Sequence, residues 1–253
     1  MFAQQRHNLI VQMLERQGSV SVRELPSLVR ASPATIRRDL EMLAQQGHAV
    51  RAWGGVLHPD VAVSESSFVE KARTAAAAKA AIGRVAADQI AGPATVFVDA
   101  GSTTLEAARH LVLRPGLTIF TNSIPLLGLR CPVRCRLVAL GGEVRHLSRA
   151  LVGALSMDWM GHLEFDYALI GASGLESRTG ACTTEMLEAA IKKEAIKRSR
   201  HALLLADASK WDHPAAIRFA AWSQFDLFVT DARPDSGARR LLAKAGVKLL
   251  PAS

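Results

Sequence analysis

The sequence predicts an α/β protein in two parts, a small helical head followed by a larger domain built on a largely parallel sheet. Three observations carry this. From residue 94 onward, short apolar or β-branched runs alternate with helical segments, the pattern of strand–helix–strand units. The first 57 residues instead hold closely spaced helical segments punctuated by cap residues. Between the two lies a polar, proline-containing stretch, His58–Ser67 (HPDVAVSESS). With 253 residues, 49% hydrophobic and 21% charged, the chain is globular and long enough for two domains.

Gln4–Gln17 places Leu9, Ile10, Met13 and Leu14 on one helical face and stops at Gly18. Ser21-Val22-Arg23-Glu24 has the form of a capping box, which predicts a short helix from Ser21 carrying Val22, Leu25, Leu28 and Val29. Pro26 lies in its first turns, where a missing N–H costs little. Ser32-Pro33 opens the next helix, with serine as N-cap and proline at the first position. That helix runs to about Gln46 and ends at Gly47.

Two helices joined by a tight Arg30-Ala31 turn, with a third in front, make a helix-turn-helix layout. In the second of the pair, Ile36, Leu40 and Leu43 face inward, leaving Ala34, Thr35, Arg37 and Arg38 outward near the helix start. A recognition helix presents side chains to the major groove from that position. Arginine reads guanine edges or clamps phosphates, and the helix N-terminus favours a phosphate. After Gly47, residues 48–53 alternate, Gly54-Gly55 makes a turn, and Val56-Leu57 comes next, the signature of a two-stranded wing from which Arg51 reaches the DNA backbone. The expected DNA-contacting set is therefore Ser32, Pro33, Ala34, Thr35, Arg37, Arg38 and Arg51. The first 57 residues carry seven arginines against four acids, and the whole chain has a formal net charge of +8, which favours a polyanionic partner. A plain three-helix protein-docking module is the competing reading, and the combined cap, turn, outward face and wing favour double-stranded DNA.

Three cysteines, Cys131, Cys135 and Cys182, are too few for a disulfide framework and have no partners at metal-ligand spacing, so no metal is expected. The N-terminus carries Arg6, His7 and Glu15 within its apolar pattern and is no signal peptide. No apolar run approaches the roughly 18 residues of a membrane span. A cytoplasmic protein is expected.

Residues 58–74 are read as linker, with Phe68–Thr74 (FVEKART) a charged stretch, and the Ala-rich Ala75–Ile90 as a packing helix. Strands are expected at Ala94–Val98, Leu117–Phe120, Arg136–Leu140, Tyr167–Ile170, Ala202–Leu205, Leu227–Val229 and Val247–Leu250, and helices at Leu105–Leu113, Pro125–Leu129, Glu185–Arg200 and Ser236–Ala245. The strand-end loops are informative: Asp99-Ala-Gly-Ser-Thr-Thr, then Thr121-Asn122-Ser123, Gly141-Gly142, Gly171-Ala172-Ser173-Gly174 and Asp207-Ala-Ser209-Lys210. In open α/β sheets ligands bind beyond the carboxyl ends of strands. Each of these loops alone is ordinary turn chemistry; their repetition points to one converging site. Gly101 permits close approach, Ser102, Thr103 and Thr104 suit a phosphate at a helix N-terminus, and Lys210 adds a point charge. Glu188 and Lys192 stand at i, i+4, either as a surface ion pair or with Lys192 turned into the site.

These motifs together resemble the DeoR family of bacterial transcriptional regulators. The likeness runs from Arg6 to about Asp231, through SPATIRRDLEML, Gly54-Gly55, VDAGSTT, FTNS, LGGEVR, VGA, LIGASG, EAAIKKEAI and LADASKW in the same order and spacing. Trp53 and Glu185 depart from the family's usual His and Asn. The resemblance implies a winged helix-turn-helix on a C-terminal α/β sensor domain similar to a sugar-phosphate isomerase. It implies an effector pocket of Asp99, Gly101, Ser102, Thr103, Thr104, Thr121, Asn122, Ser123, Gly141, Gly142, Lys192, Asp207, Ser209 and Lys210. The expected function is a regulator, most simply a repressor of sugar or polyol catabolism genes, whose DNA affinity changes on binding a phosphorylated sugar. No catalytic residue and no cofactor are expected, and paired half-sites call for a homodimer or homotetramer. The alternative is an active sugar-phosphate isomerase carrying a DNA-binding head, with Asp99, Asp207 and Lys210 as its reactive groups.

Overall fold

The computed structural model describes residues 2–17, 19–22, 24–29, 31–52, 55–57, 66–132 and 134–252. Gly18, Arg23, Arg30, Trp53, Gly54 and linker residues 58–65 lie outside this set, as does the side chain of Arg51. The chain divides into two compact units, Met1–Ser66 with Thr184–Leu187, and Ser67–Thr183 with Glu188–Ser253.

In the head, α1 (Ala3–Gln17), β1 (Ser19–Ser21), α2 (Leu25–Leu28), α3 (Pro33–Gln45), β2 (Val50–Ala52) and β3 (Gly55–Leu57) surround one small core. Ile10 and Leu14 of α1, Leu25 of α2, Ile36, Leu40 and Leu43 of α3 and Val56 of β3 are among its buried members. Burying each such aliphatic side chain is worth about 1.5–3 kcal/mol. Gly47 adopts φ +76° just past α3, the left-handed conformation that ends a helix.

Two expectations for the head are corrected. Ser21 is not a helix cap: it ends β1, whose residues pair antiparallel with Gly55–Leu57. The helix starts later, after Glu24, which makes no side-chain cap, and Leu28 is half exposed rather than inward. Paired opposite Gly55, Ser21 lies four residues before the first helical residue, Leu25, and so outside the N-cap position. The wing is consequently three-stranded, in the order β1-β3-β2.

The larger unit opens with α4 (Phe68–Arg73) and α5 (Ala76–Asp88). Within the stretch expected as linker, α4 is a true helix, capped by Ser67 and Glu70, each bonding the other's backbone N–H. Then come β4 (Ala94–Val98), α6 (Ser102–Leu111), β5 (Leu117–Thr121), α7 (Ile124–Leu127) and β6 (Arg136–Ala139). They lead into β7 (Glu143–Arg145), β8 (Ala150–Val152), α8 (Ala154–Met160), β9 (Phe165–Gly171), β10 (Gly174–Glu176) and β11 (Gly180–Thr183). The chain ends with α9 (Met186–Lys197), β12 (Ser199–Leu205), a short turn of 3-10 helix (Ala208–Lys210), β13 (Ile217–Ala221), β14 (Leu227–Thr230), α10 (Ser236–Lys244) and β15 (Lys248–Pro251).

All seven expected strands join one sheet, in the order β15-β14-β12-β9-β4-β5-β6, and every neighbouring pair is parallel. The period of two divides its residues cleanly. Val96, Val98, Leu169, Leu203, Leu205 and Val229 pack with Ile82, Ala86, Leu105 and Leu111 of α5 and α6. Phe97, from the alternate register, meets Phe165 at 5.6 Å between ring centroids. α5 and α6 approach so closely that a Cβ on Gly83 would lie 2.6 Å from the Ala107 nitrogen. The helix expected over Glu185–Arg200 stops at Lys197, because Ser199 is already paired with Phe165 in the sheet.

Candidate functional site

The head presents a cationic helix start. The Ser32 hydroxyl accepts from Thr35 N at 3.2 Å, capping α3. Ser32, Pro33, Ala34, Arg37 and Arg38 are exposed and Thr35 half-buried, so the expected contact face is open apart from Arg51, whose side chain is not described. Sequence reasoning missed what holds this helix in place. Asp39 is buried, its carboxylate taking Arg6 Nε at 2.8 Å and Nη2 at 3.1 Å, with His7 Nε2 at 2.9 Å. Burial pushes the Asp39 carboxyl up, but the bonds from Arg6 and His7 outweigh it and hold it below the usual carboxylate range. The available signal was an acid placed on the inward stripe between Ile36 and Leu43.

In the larger unit the strand order reverses between β4 and β9, since β5 and β6 lie to one side and β12, β14 and β15 to the other. A ligand crevice is expected at such a switch point. Asp99 follows β4 and Gly171 ends β9 there. The buried Asp99 Oδ2 accepts from Gly171 N at 3.1 Å and from the Lys192 ammonium, which also donates to Gly171 O at 3.2 Å. Asp99 and Lys192 thus satisfy each other at the floor. Lys192 is not half of a surface pair with Glu188: both are buried, and Glu188 Oε1 stands 3.3 Å from Arg145 Nη1.

Above this floor opens a cleft of about 530 Å³ counted out to its mouth, of which about 50 Å³ admits the centre of a water molecule. Gly101, Ser102, Thr103, Lys192 and Lys210 of the expected set line it. Ala172 and Ser173, from another of the expected strand-end loops, and Glu188 join them, together with Phe68, Lys71, Lys79 and Ser148, which one-dimensional spacing could not bring there. The first turn of α6 faces the cleft with glycine as N-cap, so no N-cap side chain takes the amides that follow it; these keep their affinity for an anion. The Ser148 hydroxyl is buried and takes no hydrogen-bond partner among the described residues.

The remaining expected residues do other work in the fold and do not line the cleft. Thr104 Oγ1 donates to Asp99 O at 2.6 Å and accepts from Gly101 N at 3.0 Å, bracing the loop. Thr121 Oγ1 donates to Val98 O at 2.6 Å, and Ser123 caps α7. Asn122 is fully buried, donating to Leu151 O at 3.3 Å. Gly141 O accepts from Ser156 at 2.6 Å. Gly142 has φ +114°, and a Cβ there would meet Val152 O at 2.4 Å, which makes it structural. Asp207 is buried and its Oδ1 accepts from Ser209 N at 3.0 Å, turning the 208–210 segment that carries Lys210. Polar strand-end residues serve loop closure as readily as ligands, and only burial and hydrogen-bond partners separate the two roles.

Among the described residues no helix is long and apolar enough to cross a membrane, and no group of three or more His, Cys, Asp or Glu is arranged to hold a metal ion.

Comparison with known proteins bears on both units. Residues 6–61 match the DeoR-like helix-turn-helix domain, and residues 74–232 match the DeoR C terminal sensor domain. The glycerol-3-phosphate regulon repressor of Escherichia coli is 32% identical over 246 residues, covering 97% of each chain. The HTH-type transcriptional repressor GlcR of Bacillus subtilis is 29% identical, covering 99% of this chain and 96% of its own. Among solved structures, ribose 5-phosphate isomerase A from Methanocaldococcus jannaschii aligns over 53% of both chains at 17% identity, with a TM-score of 0.39; the fold assignment rests on the strand order of the seven-stranded sheet. The active-isomerase alternative falls with the family match. The chain belongs to the DeoR family of transcriptional regulators, with a DNA-binding head, an effector-binding sensor domain and no catalytic activity.

Proposed function

We propose that this regulator is a cytoplasmic repressor of sugar or polyol catabolism genes and that a phosphorylated sugar, bound in the cleft at the switch point, changes its affinity for operator DNA. One observation carries the ligand assignment. The α6 N-terminus with its glycine N-cap, the unpartnered buried Ser148 hydroxyl and the Lys210 side chain line one cleft. A helix N-terminus, a hydroxyl and an ammonium form a phosphate receptor. Gly101, Ser102, Thr103, Ser148 and Lys210 are the binding residues in this reading, and the Asp99–Lys192 pair is their floor. Glu188, at the same cleft, accepts from the hydroxyls of the sugar portion.

On the DNA side, Ser32, Pro33, Ala34, Thr35, Arg37, Arg38 and Arg51 make the contacts. Two heads reading paired half-sites require a homodimer or homotetramer. The repressor direction comes from relatives named as the glycerol-3-phosphate regulon repressor, the transcriptional repressor GlcR and the putative aga operon transcriptional repressor. A change in DNA affinity of tens-fold needs about 2 kcal/mol of differential binding. The test is titration of DNA from upstream of the chain's own gene, with and without glycerol 3-phosphate and a panel of pentose and hexose phosphates. A shift in affinity with one of them supports the reading; no shift with any of them rejects it.

A further inference from the structure

Lys79 is the largest fully buried side chain among the described residues, at 2% exposure. A buried lysine needs partners for its charge, and its partners are unusual in position. The ammonium donates to Lys71 O and to Thr74 O, the latter at 2.7 Å, the carbonyls at the C-terminal end of α4. It also lies 3.7 Å from Asp207 Oδ2, too far for a hydrogen bond. That oxygen is buried and accepts no hydrogen bond among the described residues, while the other oxygen of Asp207 holds the turn carrying Lys210. Burial pushes the Lys79 ammonium below its ordinary range, the nearby Lys210 and Lys71 add to this, and Asp207 opposes it.

α4 is therefore joined to the cleft twice. Phe68 and Lys71 line the cleft directly, and the last carbonyls of α4 are tied through Lys79 toward Asp207. In sequence, α4 is also the first helix after the stretch that leads out of the head. Lys79 has committed two of its three donors to backbone carbonyls and directs its charge at an aspartate with capacity to spare.

We propose that Lys79 is a positioning residue that transmits occupancy of the cleft to α4, and so to the segment leading to the DNA-binding head, through the linkage Lys210 turn–Asp207–Lys79–Thr74. This rests on the sensing role proposed for the cleft and adds the route by which the sensor acts.

The experiment uses the full chain and two arms. In the first, backbone amide exchange is followed across residues 68–80 with and without inorganic phosphate. Phosphate slows exchange at the end of α4 in the wild type, and Lys79→Met abolishes that slowing. Equal slowing in both proteins overturns the linkage, whatever any sugar phosphate does on DNA. In the second arm, the phosphorylated compound that shifts wild-type operator affinity is applied to Lys79→Met and Lys79→Arg. With the compound at saturation, Lys79→Met is expected to reduce a tens-fold shift to less than threefold, and Lys79→Arg to keep most of the shift. A full shift in Lys79→Met overturns the proposal, and so does loss of ligand binding itself. If Lys79→Met does not fold, Asp207→Asn, which removes the charge at the other end, is read in the same way. A wild type that responds to no sugar phosphate rejects the sensing role and leaves the exchange arm to decide the linkage.

Discussion

Lys192 donates to Asp99 at the point where the strand order reverses, although 93 positions separate them in sequence. Both side chains are almost wholly enclosed. Removing one partner of such a pair leaves an uncompensated buried charge, which costs about 3–5 kcal/mol. Lys192→Met and Asp99→Asn are each expected to lower the unfolding free energy of the full chain accordingly. The double variant is expected to recover a substantial part of that loss. Denaturant titration decides, and additive losses in the double variant would mean that the two side chains act independently.

Asp39 gives the head a pH dependence of definite sign. Its carboxyl is held below the usual range in the folded chain. It therefore stabilises the fold above the unfolded value of about 3.9, and that stability is lost as pH falls through the folded value. Thermal melts between pH 7 and pH 2.5 should show the head destabilised at the acidic end. Asp39→Asn should melt lower at neutral pH with a flatter acid dependence; an unchanged acid profile would remove Asp39 from the account.

Arg37 lies on the open face of α3, beyond the buried Ile36. Arg37→Ala is expected to cost about 1–3 kcal/mol of operator binding if it reads a base edge, with relaxed discrimination at one position. A uniform loss on all sequences, with the salt slope reduced by about one, would make it a phosphate contact instead. Binding to operator and scrambled duplexes at two salt concentrations separates these outcomes, and no loss on either duplex excludes Arg37 from the interface.

Lys210 is the point charge expected for the ligand's phosphate. Lys210→Met should weaken calorimetrically measured binding of the active sugar phosphate by roughly 10- to 150-fold, the scale of about 1.5–3 kcal/mol for a hydrogen bond to a charged group. Affinity unchanged within twofold would assign the phosphate to another part of the cleft.

The seven-stranded sheet was legible because its members are compact apolar runs, most of them ended by a polar loop, as at Val98-Asp99 and Leu205-Ala206-Asp207. Two short antiparallel strands were not: Ser19–Ser21 and Gly180–Thr183 hold only three or four residues each, small or polar enough to read as turns. Their identity comes from pairing with Gly55–Leu57 and with Ile217–Ala221, partners distant in sequence. The site divides along the same line. Ser102, Thr103 and Lys210 were legible from strand-end position, whereas the spacing of Lys192 from Glu188 left open a surface pair or a turn into the site. Thr121, Asn122 and Asp207 share the strand-end position yet turn to backbone partners. Phe68, Lys79 and Ser148 carry no local signature, and reach the cleft region only through the packing of α4, α5 and the loop before β8.

The central claim is that the cleft senses a phosphorylated sugar and changes DNA affinity. Its most direct test is fluorescence anisotropy on operator DNA with the full chain and with Ser102→Asp, across glycerol 3-phosphate, pentose phosphates and hexose phosphates. One compound is expected to shift the wild-type dissociation constant by tenfold or more, and an added carboxylate at the α6 N-terminus to reduce the shift to less than twofold. An equal shift in both proteins, or no shift with any compound, would contradict the claim.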